Sequence, residues 1–170
     1  MHSTTKLGDQ GFKIFKEVVF QPLCDNTTAA IVAEIKKQRN GDELIDVELL
    51  KGSVAIYLTL STGKLAQDGS LPRVHLDRAI LEQTEQFYEA KSKEIMDSTN
   101  LIDYLRVADR YRKEEQARVE QLLTWDVGQE VLKAFRREML LKPQAQLLNK
   151  VHGFREFLSH RQYEDIKLLY

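Results

Sequence analysis

The sequence predicts an all-α fold: a bundle or solenoid of about seven antiparallel helices. Three observations carry the helical prediction. Apolar residues recur at intervals of three and four along nearly every segment, which places them on one face of a helix. No run alternates apolar and polar residues as a half-buried strand does. Only three prolines and eight glycines punctuate 170 residues, and Pro22, Gly41, Gly63, Gly69, Pro72, Pro143 and Gly153 stand between the periodic segments.

The elements follow in order. Between Gly11 and Phe20, the residues Phe12, Phe15 and Val19 share a stripe, with Lys13 and Lys16 off it. Pro22 marks a break. Asp25 and Asn26 then supply N-cap side chains for a second helix, which runs to about Asn40 with Ile31, Val32 and Ile35 inside. Asn40-Gly41 accepts a left-handed C-terminal cap. Asp46 caps a third helix, in which Val47, Leu50, Val54, Tyr57 and Leu58 share a face. The polar, glycine-bearing stretch from Ser61 to Pro72 reads as a loop. From about Arg73 to Asp97 a long helix turns Leu76, Ile80, Thr84, Phe87 and Ile95 toward a core, and Ser98, Thr99 and Asn100 end it.

The stripe of Leu101 to Leu123 is the clearest: Tyr104, Leu105, Ala108, Tyr111, Val119 and Leu122. Its other side sets Asp109 before Lys113 and Glu114 before Arg118, pairs worth about 0.2–0.5 kcal/mol each on an exposed helix. Thr124 or Asp126 starts a helix with Val127, Val131, Ala134 and Phe135. Leu147, Val151, Phe154 and Leu158 mark the next, and Tyr163 to Tyr170 reads as the opening turns of another.

Composition excludes several functions. Lys plus Arg number 25 and Asp plus Glu 26, a formal net charge of −1. There is no overall electrostatic footprint for nucleic acid or anionic lipid. Cys24 is the single cysteine, so no intrachain disulfide forms, as expected in a reducing compartment. No apolar run approaches the roughly 18 residues of a membrane helix. Residues 1–6 lead into no signal-peptide core. The expectation is a cytoplasmic or nuclear protein with protein partners, no nucleic acid and no membrane.

The usual chemical motifs are missing. One cysteine cannot build a Cys-rich zinc site, and there is no H-E-x-x-H. The residues three before His75, His152 and His160 are Pro72, Asn149 and Phe157, so the Glu-x-x-His pairs of di-iron bundles are absent. These histidines read as isolated. Cys24 stands beside Asp25, an acidic neighbour that disfavours a reactive thiolate, and reads as inert. Gly8-Asp9-Gln10-Gly11 follows no strand and precedes no Lys-Ser/Thr pair, so it is not a phosphate loop. Glu114 and Glu115 point about 100° apart on a helix and read as a solvated face. Arg110, Arg112, Lys113 and Arg118 are interleaved with acids, and Arg136-Arg137 is only a doublet. The aromatics, Trp125 included, sit at core spacing. The expectation is no catalytic, cofactor-binding or metal-ligating residue, no cofactor, and a binding or structural role.

One set of motifs goes further. The segment Gly11 to Phe20 is followed about twenty residues later by Gln38-Arg39-Asn40-Gly41-Asp42. Next come Leu81-Glu82-Gln83-Thr84-Glu85-Gln86-Phe87-Tyr88, then Tyr104-Leu105 with Glu114-Glu115 and Arg118-Val119. Gly153-Phe154, Glu164-Asp165-Ile166 and Leu169-Tyr170 close the series. In this order, from about Gly11 to Tyr170, the chain resembles the cullin family, with its "E-R-x-G-E" turn, "F-L-x-x-T-x-x-F-Y" and "Y-[LM] … E-E-x-x-R-V". Asp42 and Asp46 fit the family's acidic places, while Gln38 departs from its Glu. Leu76 and Ile80 stand where the family has aromatics, the Ser61–Pro72 loop does not match, and Trp125 to Leu148 match only in helical character.

The resemblance implies a non-catalytic scaffold segment. Cullins are elongated backbones of RING-type ubiquitin ligases, with a stalk of helical repeats between the substrate adaptor and the RING subunit. This chain resembles the second repeat and the start of the third. The implied division is a tail over 1–10, a helical domain over 11–160, and the start of a further repeat over 161–170. No adaptor-contact or catalytic residue carries over. The alternative is a helical protein-interaction module outside ubiquitin ligases that reuses this domain. Tyr163, Ile166, Leu169 and Tyr170 would leave an uncovered apolar end, so weak self-association through it is expected.

Overall fold

The computed structural model describes residues 10–41, 46–61, 72–98 and 101–149. Every element among them is helical, and no strand occurs among the described residues. The chain divides into two compact units, Met1–Ile80 and Leu81–Tyr170, with the division inside one long helix.

In the first unit, residues 10–14 are α-helical and lead through a π-turn, Phe15–Phe20, straight into α1, Gln21–Arg39. The break expected at Pro22 does not occur, and Asp25 and Asn26 lie inside α1 rather than capping it. The π-turn accounts for this. A proline lacks an N–H and its ring crowds the carbonyl four residues back, but a preceding wide turn relieves that conflict. The Gln21 N–H accordingly donates to Lys16 O, five residues back.

The same turn re-phases the side chains. Phe12, Phe15 and Val19, the expected core stripe, are 51%, 40% and 44% exposed, while Lys16 and Phe20 are buried. Extrapolating an α-helical repeat through an i→i+5 turn assigns the wrong face.

The caps and most of the apolar core positions expected of this unit hold. Gly41, at φ +84°, follows α1 in the left-handed region, and its N–H donates to Gln38 O at 3.1 Å. Asp46 Oδ1 accepts from the Leu49 N–H at 2.9 Å and caps α2, Val47–Leu60. Ile31, Ile35, Leu50, Val54, Tyr57 and Leu60 are buried, and the Phe20 and Tyr57 rings meet edge to face at 4.9 Å. Val47 and Leu58 are only half-buried. Pro72, expected in the loop, is the first residue of α3, Pro72–Ser98, where a missing N–H costs nothing. The Arg73 N–H donates to Ser61 Oγ at 3.0 Å. Gly63 and Gly69 lie outside the described residues, as do Thr99 and Asn100.

The second unit contains the rest of α3, then α4 (Leu101–Leu122), α5 (Trp125–Arg136), a second π-turn (Arg137–Leu141) and α6 (Gln144–Asn149). Its core gathers Tyr88, Ile95, Met96, Leu101, Tyr104, Leu105, Ala108, Phe135, Met139 and Leu147. Phe87 and Tyr111 are half-buried at its margin. The fully buried aromatic of α3 is Tyr88, whose ring meets Phe135 edge to face at 4.7 Å. Val127, Val131, Ala134 and Phe135 are buried as expected. Trp125 is 76% exposed and packs in no core, because it opens α5 on the face away from those residues. Gly128 lies against Val119 so closely that a Cβ there would overlap the valine methyl. His152, Val151, Phe154, Leu158, His160 and the segment 161–170 fall outside the described residues.

Candidate functional site

Three of the quoted motif residues of the second unit, Tyr88, Glu115 and Arg118, meet in one buried polar cluster. Tyr88 of α3 donates its hydroxyl to Glu115 Oε2 at 2.5 Å, and Arg118, one helical turn beyond Glu115 on α4, pairs with the same oxygen. Tyr88 and Glu115 are at most 1% exposed and Arg118 is 7% exposed; Thr84, one turn before Tyr88, is fully buried. This corrects two expectations. Glu115 is not part of a solvated face, and Arg118 pairs with Glu115 rather than with Glu114. Glu114 instead lies 3.9 Å from Arg110. Apolar periodicity had no means of marking a buried charge whose partner hydroxyl sits 27 residues away. The letters of the motif did contain all three residues.

The basic residues of α4 that the sequence interleaves with acids pair with those acids. Arg118 is inside, and Arg112 and Lys113 both hold Asp109, at 2.9 and 2.7 Å. Hydrogen bonding from Lys113 and Arg112 keeps the Asp109 carboxyl below its ordinary value.

A second buried cluster is neutral. Tyr104 OH donates to Met139 O at 2.7 Å, in the second π-turn. Its one proton is thereby used, so the 2.8 Å contact with Ser92 Oγ has the serine donating. Burial raises the Tyr104 hydroxyl above its ordinary value. The first unit has a counterpart. Tyr57 OH donates to Cys24 O at 3.0 Å and, by the same count of protons, accepts from Thr28 Oγ1 at 2.8 Å. Burial, opposed by the Thr28 hydrogen bond, pushes Tyr57 up to about 12. Arg39, of the quoted glycine turn, is buried as well.

These clusters suit a framework. A buried ion pair breaks roughly even against an apolar substitute, but losing one member leaves the other uncompensated.

A cleft of the second unit has a volume of about 300 Å³ and is lined by Glu89, Ser92, Lys93, Met96, Asp97 and Glu138 among others. Its charges pair locally. Lys93 Nζ lies 2.7 Å from Glu89, and Lys142 Nζ lies 2.6 Å from Glu138 Oε2, an ion pair without a well-directed hydrogen bond. The cleft therefore offers no concentrated charge of one sign. In the first unit, Phe12, Ile14, Phe15, Val18, Val19 and Leu23 are all exposed. His75, read as isolated, is not: its Nε2 lies 3.3 Å from Asp25 Oδ1, beside Cys24. Among the described residues, no helix is long and apolar enough to cross a membrane.

Comparison with known proteins agrees with the fold and the motifs. The family described as the Cullin alpha solenoid domain matches residues 1–170. The chain is similar to Cullin-2 of Arabidopsis thaliana, 25% identical over 161 residues, 94% of this chain and 21% of that protein. It is similar to a putative cullin-like protein 1 of the same plant, 24% identical over 165 residues, 96% of this chain and 22% of the relative. Cullin-1 of Dictyostelium discoideum is 22% identical over 160 residues, 92% of this chain and 20% of that protein. The chain thus spans about a fifth of the length of these curated relatives. With an all-helical fold, the ordered motifs and a family match along its whole length, the chain belongs to the cullin family.

Proposed function

We propose that this chain is a non-catalytic scaffold segment of the stalk of a cullin-RING E3 ubiquitin ligase, holding an adaptor-substrate module and a RING module apart. The supporting observation is the family match over residues 1–170. The physical support is that the quoted residues Thr84, Tyr88, Glu115 and Arg118 are spent inside the helical framework. They hold helices in register rather than face a reactant, which suits positioning and not chemistry. On this reading the protein acts in the cytoplasm or nucleus. The assembled ligase would be the enzyme, with adaptor and RING subunits bound through regions outside this chain. The division into 1–10, 11–160 and 161–170 belongs to the same proposal.

A second reading is a cullin-like interaction module outside ubiquitin ligases. One comparison favours it. A cullin-like protein 3 of Arabidopsis thaliana is 24% identical over 117 residues, 69% of this chain but 44% of that relative, so cullin-type helices also occur in a much shorter chain.

Affinity capture of the natural protein carrying this sequence separates the two. The scaffold reading expects a RING subunit and a substrate adaptor to be recovered together. It also expects the purified chain to transfer no ubiquitin with activating and conjugating enzymes alone. Recovery of other proteins, with neither of those subunits, assigns the second reading.

A further inference from the structure

We propose that Cys24, Asp25 and His75 form a three-ligand site for a zinc-class divalent cation, its fourth position open to water or a solute. The sequence gives no hint of it, since no spacing motif links a cysteine and an aspartate on α1 to a histidine in the first turns of α3. The fold of the first unit brings them together. One ligand atom from each of the three lies within 4.8 Å of the other two.

The geometry is close to what a tetrahedral ion asks for. Nitrogen and oxygen ligands at about 2.0–2.1 Å stand about 3.3–3.4 Å apart across a tetrahedron. His75 Nε2 and Asp25 Oδ1 are 3.3 Å apart. A thiolate at about 2.3 Å stands about 3.5 Å from either, so Cys24 Sγ has to close in by little more than about 1 Å. The side chains are free to do so: Asp25 is exposed, His75 is exposed, and Cys24 is only half-buried. The backbone beneath them is not free. Cys24 O accepts from the buried Tyr57 hydroxyl, which fixes that turn of α1.

The charges also balance. A thiolate and a carboxylate neutralise a divalent ion, and a neutral imidazole adds a third donor without adding charge. On binding, the metal takes the thiol sulfur and the thiol proton leaves to solvent. A thiolate–imidazole–carboxylate set selects zinc-like ions over calcium and magnesium, which prefer oxygen-only shells. The bound ion would tie the start of α3 to α1, a link that spans a long intervening stretch of chain.

The experiment uses the whole chain, stripped with a chelator and titrated with cobalt(II) as a spectroscopic stand-in for zinc. A thiolate-to-cobalt charge-transfer band and tetrahedral visible bands are expected at one equivalent, with displacement by zinc. Cys24 is the only cysteine, so the charge-transfer band reports this residue. Cys24→Ser should abolish the band, and His75→Ala and Asp25→Ala should each weaken binding by about tenfold or more. His2→Ala should leave binding unchanged. Far-UV circular dichroism on each variant checks that the helices are intact. Zinc should raise the melting temperature of the parent chain and not that of Cys24→Ser. Absence of the band in the parent chain, or affinity unchanged in both His75→Ala and Asp25→Ala, overturns the site and leaves a plain Asp25–His75 contact.

Discussion

The core of the second unit and the first helical turns of the first place polar and apolar groups differently. In Leu81–Tyr170 the buried charges are matched: Glu115 is held by Tyr88 and Arg118 inside a tight aromatic core. In Met1–Ile80 the first helical turns are inverted, with Lys16 buried while Phe15, Val18 and Val19 face outward. The second unit shows how interior polar groups fix one packing of the helices. The first shows that an apolar stripe names a face of a helix without naming what covers it. Each prediction below presses on that contrast.

The largest effect is expected at Tyr88. Its ring is fully buried against Phe135, and its hydroxyl is the second partner of a buried carboxylate. Tyr88→Ala should cost about 3–5 kcal/mol from the lost ring alone, and the hydrogen bond that Glu115 loses adds to it. Tyr88→Phe, which keeps the ring, should cost much less. Denaturant melts of both variants check this. A loss below about 1 kcal/mol for Tyr88→Ala would mean that the second unit is not organised around this cluster.

Gly128→Ala comes next. The added methyl meets Val119 across α5 and α4. Overpacking of this kind costs about 1–3 kcal/mol. Gly52 is an informative control in the first unit, because nothing lies within 4 Å of a Cβ there. Gly52→Ala should be neutral or slightly stabilising, since alanine is worth about 1 kcal/mol over glycine inside a helix. Equal effects at the two glycines would remove the difference in packing inferred here.

How much of this was legible in the sequence depends on what each signal measures. Caps are local, so Asp46 and Gly41 were readable from one residue type and its neighbours. Stripes on straight helices were readable too, and Ile31, Ile35, Leu105, Ala108 and Val131 are where the 3.6-residue repeat puts them. The π-turn was not readable, because nothing in residues 15–20 announces an i→i+5 hydrogen bond. The assignments of Phe12, Phe15, Val19 and Lys16 failed with it. Trp125 failed because an aromatic residue at the edge of a helix satisfies the periodicity whether or not anything covers it. The closeness of Cys24, Asp25 and His75 depends on how α1 and α3 meet, which no local pattern records.

A smaller effect compares the two tyrosine clusters. Tyr57→Phe removes one hydrogen bond to Cys24 O and one from Thr28, which should cost about 0.5–1.5 kcal/mol. The pH dependence has a definite sign. Burial raises Tyr57 to about 12 from an ordinary 10.0, so in that window the folded chain keeps a proton that the unfolded chain has lost. Stability is therefore fully present below about pH 10 and falls as the pH rises toward 12. The Tyr57→Phe variant should lose less stability over that range than the parent chain. Equal alkaline slopes would shift the whole effect to Tyr104, the raised tyrosine of the second unit.

The smallest effect is expected where the sequence expected one of the larger ones. Phe12, Phe15 and Val18 are 51%, 40% and 67% exposed, so much of their apolar surface meets water before and after unfolding. Burial energy scales with the area removed from water, at about 25 cal/mol per Å², and these residues gain only part of it. Phe12→Ser and Val18→Ser should each change stability by no more than about 0.5 kcal/mol, the usual range for surface positions. The melts need two protein concentrations. A cost above about 1 kcal/mol that grows with concentration would show that a second copy covers this face in solution, since association stabilises by mass action. A cost of that size independent of concentration would show that the chain itself covers the face. The inversion between the two units would then vanish, because the first helical turns would bury the stripe that their periodicity announces.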